Sequence, residues 1–149
     1  MTDRDEPKIY RFFTEVGIIN QLVSTLVEKH LPDRMTAREF GLLGHLSRRP
    51  DGNTPVELAR AFQLPKTSMT HSISMLEGRG FIQIAPNPKD ARSKIVRMTS
   101  KGRDFLAQIT RRLSTALGPL IAKIGKDEFT SALPALEKIR IALDAAREN

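Results

Sequence analysis

The residues best placed to do chemistry by contact lie between 66 and 94. Lys66, Thr67, Ser68, Thr70, His71 and Ser74 crowd into nine positions, and Lys89, Arg92 and Lys94 follow within six more. Hydroxyls, an imidazole and cations suit hydrogen bonding to phosphates and to base edges in a duplex groove. They do not suit catalysis, because no nucleophile, base and acid fall together and no glycine-patterned phosphate cradle opens a helix. The three histidines, His30, His45 and His71, lack metal-ligand spacing. The absence of cysteine excludes disulfides, thiolate zinc sites and thiol redox sensing. The chain reads as a non-enzyme without metal or cofactor.

These residues need elements that present them. Lys66 to Ser74 belong to a helix expected from about Pro65 to Gly78. At 100° per residue, with Met69 at zero, Ile73 falls at about 40° and Leu76 at about −20°, facing a core. Thr67 at about 160°, His71 at about 200° and Ser74 at about 140° lie opposite. Lys66, Ser68 and Thr70 flank them. A merely solvated face would carry Glu and Lys in i,i+4 pairs. Small hydroxyls lower helix propensity, and their use is close approach to a partner.

A shorter helix should precede this one. Thr54-Pro-Val-Glu57 is a capping box with Pro55 at the first helical position, where its missing N–H costs nothing. Gln63-Leu64-Pro65 is the turn, so residues 54–78 have the dimensions of a helix-turn-helix. Before them, Thr36-Ala-Arg-Glu39 is another capping box, opening a helix with Phe40, Leu43 and Leu46 on its apolar side. Arg49-Pro-Asp-Gly-Asn53 is a turn-rich loop.

Beyond Gly80, Phe81–Ala85 and Lys94–Thr99 have strand composition. The loop expected between them, residues 86–93, carries Lys89, Arg92 and one carboxylate, Asp90. A cationic finger of this kind can follow a phosphate backbone or place Arg92 in a minor groove. Asp90, two residues from Arg92, should orient it or pin the loop.

Charge supports a polyanion-binding centre. The net charge is +7. Residues 34–103 hold thirteen basic against five acidic side chains, and the remainder eleven against twelve. The whole excess sits in the middle.

The flanks read as helices needing cover. Ile9, Phe12, Val16, Ile19, Val23 and Leu26 step by threes and fours along residues 8–29, a seam about 33 Å long. It suits packing against a second subunit, or against helices of its own chain. His30-Leu-Pro-Asp33 ends it. Thr99 should cap a helix with a stripe from Leu106 to Ile124, bent at Gly118-Pro119. Gly125-Lys-Asp127 should end that helix and cap a last one bearing Phe129, Leu133, Leu136, Ile139 and Leu143. Pro134 should kink or split it. No apolar run approaches the roughly 18 residues of a membrane span. The polar, acidic start MTDRDEPK is wrong for a secretory signal, so a cytoplasmic protein is expected.

TAREFGLLGHL, then TPVELARAFQLPKTSMTHSISMLEGRGFI, then APNPKDARSKIVRMTSKG resemble MarR-type transcriptional regulators over about Met35 to Leu106. Asp90-x-Arg92 with Met98-Thr99-x-Lys101-Gly102 is the most specific part. The resemblance implies a mainly α fold with a small β-hairpin wing (α+β). Residues 35–100 would be a winged helix-turn-helix, and residues 1–34 and 101–149 dimerisation helices. It implies a homodimer reading a pseudo-palindromic site, and commonly repression relieved by a small aromatic or acidic effector. Thr67, Ser68 and Thr70 fall on its recognition-helix positions and Arg92 on its wing arginine. The dimer seam would involve Ile9, Phe12, Val16, Ile19, Leu136, Ile139 and Leu143. His71 and Ser74 depart from a frequent Arg and Asp, so no operator sequence carries over. A ligand pocket follows only from the resemblance; His45, Arg48 and first-helix residues lie near the helix junction but read more readily as structural. A sequence-tolerant architectural DNA binder is the alternative, and a winged interaction module without DNA a third reading.

Overall fold

The protein was analysed as a computed structural model that describes residues 6–146. The start of the MTDRDEPK stretch lies outside them. The elements in chain order are α1 (Glu6–Glu28), α2 (Ala37–Ser47), α3 (Pro55–Phe62), α4 (Lys66–Gly78), β1 (Ile82–Asn87), β2 (Asp90–Met98), α5 (Ser100–Ile124) and α6 (Lys126–Ala146). This is the expected mainly α chain with one antiparallel hairpin. It divides into two compact units, one ending at Arg112 and one beginning at Leu113.

Local chemistry sets the helix starts. Thr36 Oγ1 accepts from the Glu39 amide at 3.4 Å while Glu39 Oε2 accepts from the Thr36 amide at 2.9 Å. The same reciprocal pair recurs at Thr54 and Glu57, at 3.2 and 2.9 Å. Each box satisfies two amides that the first turn leaves without a helical partner. Gln63 takes a left-handed conformation, φ 51°, and turns the chain from α3 into α4.

The core of the first unit is built from Leu42, Leu43 and Leu46 of α2, Leu58 of α3, Met69, Ile73 and Leu76 of α4, and Val96 and Met98 of β2. Each buried Leu, Ile, Val or Met contributes roughly 1.5–3 kcal/mol. The three α4 residues expected to face inward are buried, and Ser72 is buried beside them. The start of α5 is pinned to the chain leaving α4. The Thr99 hydroxyl accepts from the Gly102 amide at 3.1 Å and donates to the Gly80 carbonyl at 2.6 Å. A Cβ on Gly102 would collide with the Phe81 carbonyl oxygen, so this approach requires glycine.

The hairpin differs from expectation. Residues 86–93 are not an open loop; both strands run outward to a turn at Pro88-Lys89. Pairing proceeds from Ile82 opposite Met98 to Pro86 opposite Lys94, then jumps to Asn87 opposite Asp90. Ala91, Arg92 and Ser93 are left without opposite residues, as a bulge. Side-chain bonds make up for the ladder that Pro86 cannot continue. Asn87 Nδ2 donates to Ser93 Oγ at 2.8 Å, and Ser93 Oγ donates to the Asp90 carbonyl at 3.2 Å.

α5 continues through Pro119, and α6 runs through Pro134 without being split, which removes one of the two outcomes expected there. A proline removes one helical bond, which the turns on both sides can sustain. Gly125, at φ 102°, separates the two helices, and α6 starts at Lys126, so Asp127 lies in its first turn rather than capping it. There its charge favours the positive end of the helix dipole.

Candidate nucleic-acid interface

α4 presents the face its sequence called for. Lys66, Thr67, Thr70, His71 and Ser74 are exposed, and Ser68 is half-buried. Thr70 is more occupied than its composition suggests, because its hydroxyl donates to the Lys66 carbonyl at 2.8 Å. Its oxygen can still accept, but its proton is directed inward. Thr67, Ser68 and His71 border one groove, which is shared with Arg34, Arg38 and the buried Glu39 of the α2 start.

On the wing, Lys89, Arg92 and Lys94 are exposed. The Arg92 side chain is 93% exposed, so its guanidinium is available even while it meets Asp90 at 3.4 Å. Asp90 Oδ1 also accepts from the Arg92 amide at 3.0 Å. Asn87 Oδ1 does the same for the Lys89 amide at 3.0 Å. These two consecutive turns fix the backbone from which both cations project. Lys89 borders a cleft with Asp51, Glu57 and Arg97, distinct from the groove beside Thr67.

What holds the wing to the helices was not legible in the sequence. Asn53, in the loop read only as turn-rich, exchanges two backbone hydrogen bonds with Val96, at 3.1 and 2.8 Å. The loop thereby adds a one-residue third strand to the hairpin. Gly52 beside it has φ 82°, and a Cβ there would lie 2.5 Å from the Val96 carbonyl oxygen. Arg97 Nε donates to the Asp51 carbonyl at 3.1 Å. Only the Asp-Gly-Asn composition hinted at such a role.

Asn53 also joins α2 to α3. Its Nδ2 donates to Glu57 Oε2 at 3.1 Å, which leaves Oδ1 to accept from His45 Nε2 at 3.2 Å. His45 packs edge-on against Phe62, with ring centroids 5.6 Å apart. Burial holds its imidazole below the ordinary value; Arg49 and Arg48 push the same way, and the Asn53 bond opposes them. Glu57 is held below the usual carboxylate value by the Thr54 amide first, then by the Asn53 side chain. His45 is therefore a structural residue of the loop anchor.

The residues expected at a dimer seam are open in the isolated chain. Ile9, Val16, Ile19, Leu136 and Leu143 are exposed, and Phe12 and Ile139 half-buried. Phe13, Ile18 and Leu22 widen the exposed surface of α1. An open cleft of about 550 Å³ in the first unit is bordered by Pro32, Phe81, Phe105 and Gln108, with the cations Lys101 and Arg111 and the carboxylate of Asp104. The Phe81 and Phe105 rings stack at 4.3 Å, and Lys101 Nζ lies 5.7 Å from the Phe81 ring centre. Among the described residues, no cluster of His, Asp and Glu could hold a metal ion, and no helix is long and apolar enough to cross a membrane.

Residues 35–93 match the family model described as MarR family. The chain is 28% identical over 133 residues to the transcriptional activatory protein BadR of Rhodopseudomonas palustris, covering 86% of this chain and 75% of that protein. It is 29% identical over 126 residues to the multiple antibiotic resistance protein MarR of Salmonella typhimurium, covering 83% and 87%. Its fold is similar to that of a mutant of MarR from Escherichia coli complexed with operator DNA. The TM-score is 0.71, with 24% identity and 93% and 99% of the two chains covered.

Proposed function

We propose, for a chain that belongs to the MarR family through residues 35–93, that it is a sequence-specific DNA-binding transcriptional regulator. It binds a pseudo-palindromic operator as a homodimer, in the cytoplasm, and represses until a small effector releases it. One observation carries the reading: from Lys66 to Ser74 the outward face of α4 offers hydroxyls, a lysine and an imidazole with no carboxylate among them, and exposed Glu77 follows only near the end of the helix. Such a face can approach base edges and phosphates without repulsion. The exposed Arg92 and Lys89 of the wing supply the adjoining cationic contact.

The dimer reading draws on α1, α5 and α6, which leave large apolar side chains such as Ile9, Ile19, Leu22, Leu120, Leu133 and Leu143 exposed. The effector reading draws on the cleft beside Phe81 and Phe105, where stacked rings next to Lys101 suit a small aromatic or acidic ligand. Selection of bound fragments from genomic DNA tests the function. Recovery of one inverted-repeat motif supports an operator-reading regulator. Recovery without any shared motif favours the architectural alternative, and no recovery contradicts both.

A further inference from the structure

We infer that Arg34 and Arg38 form a second phosphate-gripping shelf, which engages the backbone bordering the groove that α4 enters. The inference rests on the DNA-binding reading above. Arg34, just before α2, and Arg38, in its first turn, wall the same groove of about 410 Å³ as Thr67, Ser68 and His71. The one carboxylate on that wall, Glu39, is 4% exposed and accepts from the Thr36 amide at 2.9 Å. It is turned to the capping box and not to the groove mouth. Both arginines are exposed, and among the described residues neither is in an ion pair.

Two guanidinium groups beside a hydroxyl-bearing face form a local positive charge, while the nearby carboxylates of Glu39 and Glu28 are bonded to the Thr36 and Ala37 amides. The chemistry that matches them is a line of phosphates. A guanidinium fork meets phosphate oxygens bidentately, and each phosphate neutralised releases condensed counterions. Backbone contacts position a protein on duplex without reading its sequence. Arg34 and Arg38 should therefore add affinity and register, leaving base discrimination to the outward face of α4. Lys89 of the wing borders a different cleft, so these arginines form a separate point of attachment.

The test uses the full-length protein and a duplex that it selects from a random pool. Kd is measured against potassium chloride concentration for the parent, for Arg34→Gln/Arg38→Gln and for Arg34→Lys/Arg38→Lys. Each lost phosphate contact removes about 0.9 from the slope of log K against log salt. The glutamine pair should thus flatten the slope by roughly 2 per protomer. It should leave unchanged the ranking of duplexes carrying single base changes. The lysine pair should restore most of the slope, which separates lost charge from misfolding. An unchanged slope in the glutamine pair overturns the inference while leaving the DNA-binding reading intact. A changed ranking at constant slope also overturns it, since the arginines would then read bases. Absence of binding by the parent overturns both.

Discussion

Asp90 Oδ1 accepts from Arg92 twice, from its amide at 3.0 Å and from its Nε at 3.4 Å. The amide bond is the shorter, and the ion pair is exposed, a setting in which such pairs contribute about 0–1 kcal/mol. Asp90 therefore acts chiefly by shaping the turn from which Arg92 projects. Arg92→Ala should weaken DNA binding by about 1–3 kcal/mol. Asp90→Asn keeps an acceptor for the amide and removes a negative charge, so it should bind at least as tightly as the parent. Asp90→Ala should bind more weakly than Asp90→Asn. Titrations of one duplex with the three variants check the order; because both Asp90 variants are neutral, Asp90→Ala binding as tightly as Asp90→Asn would show that the turn geometry is not what counts.

Gly52 and Gly102 are places where backbone meets backbone. At Gly52 a methyl would press on the Val96 carbonyl and the φ of 82° is unfavourable for alanine; at Gly102 it would strike the Phe81 carbonyl. Either substitution should cost at least about 2 kcal/mol in chemical denaturation. Gly78, helical with open space around it, is the control, and alanine there should stabilise by up to about 1 kcal/mol.

Acid should loosen the loop anchor in two stages. The His45 pKa is depressed in the fold, so the unfolded chain binds more protons as pH falls below about 6.5. Stability contributed by neutral His45 is full above that value and is lost as pH falls toward the folded pKa. Glu57 is likewise depressed, so its contribution is present above about 4.5 and lost below it. His45→Gln should remove the first stage and leave the second. Denaturation midpoints across pH decide it; the same acid dependence just below 6.5 in this variant would exclude His45 as the group concerned.

The exposed seam of α1 makes a further claim. Val16→Asp or Phe12→Asp would place an unpaired carboxylate in an apolar interface, at a cost of several kcal/mol. Sedimentation should find the parent dimeric and these variants monomeric. Dimeric variants would place the interface elsewhere.

What the sequence reveals follows the range of the interactions concerned. The capping boxes at Thr36 and Thr54 are bonds between residues three apart, so residue type and spacing suffice to find them. The buried Met69, Ile73 and Leu76 follow from helical period alone. The wing is harder. Pro86 and Pro88 mark a stiffened loop, yet the Asn87–Ser93 bond and the Asp90 turn extend the strands around a bulge. The Asn53–Val96 bridge joins residues 43 apart, and nothing local marks it. Arg38 is legible as part of a capping-box stretch, but its neighbours across the groove come from α4. Pro134 reads as an interruption because local propensity takes no account of the helix on both sides.

Salt-dependent binding to duplex is the most direct test of the central claim. The protein is titrated with its selected duplex over a range of salt concentrations. With six to ten phosphates neutralised, log K should fall with log salt at a slope of roughly −5 to −9. A salt-independent constant, or no measurable binding at low salt, would contradict the assignment of α4 and the wing to a DNA interface.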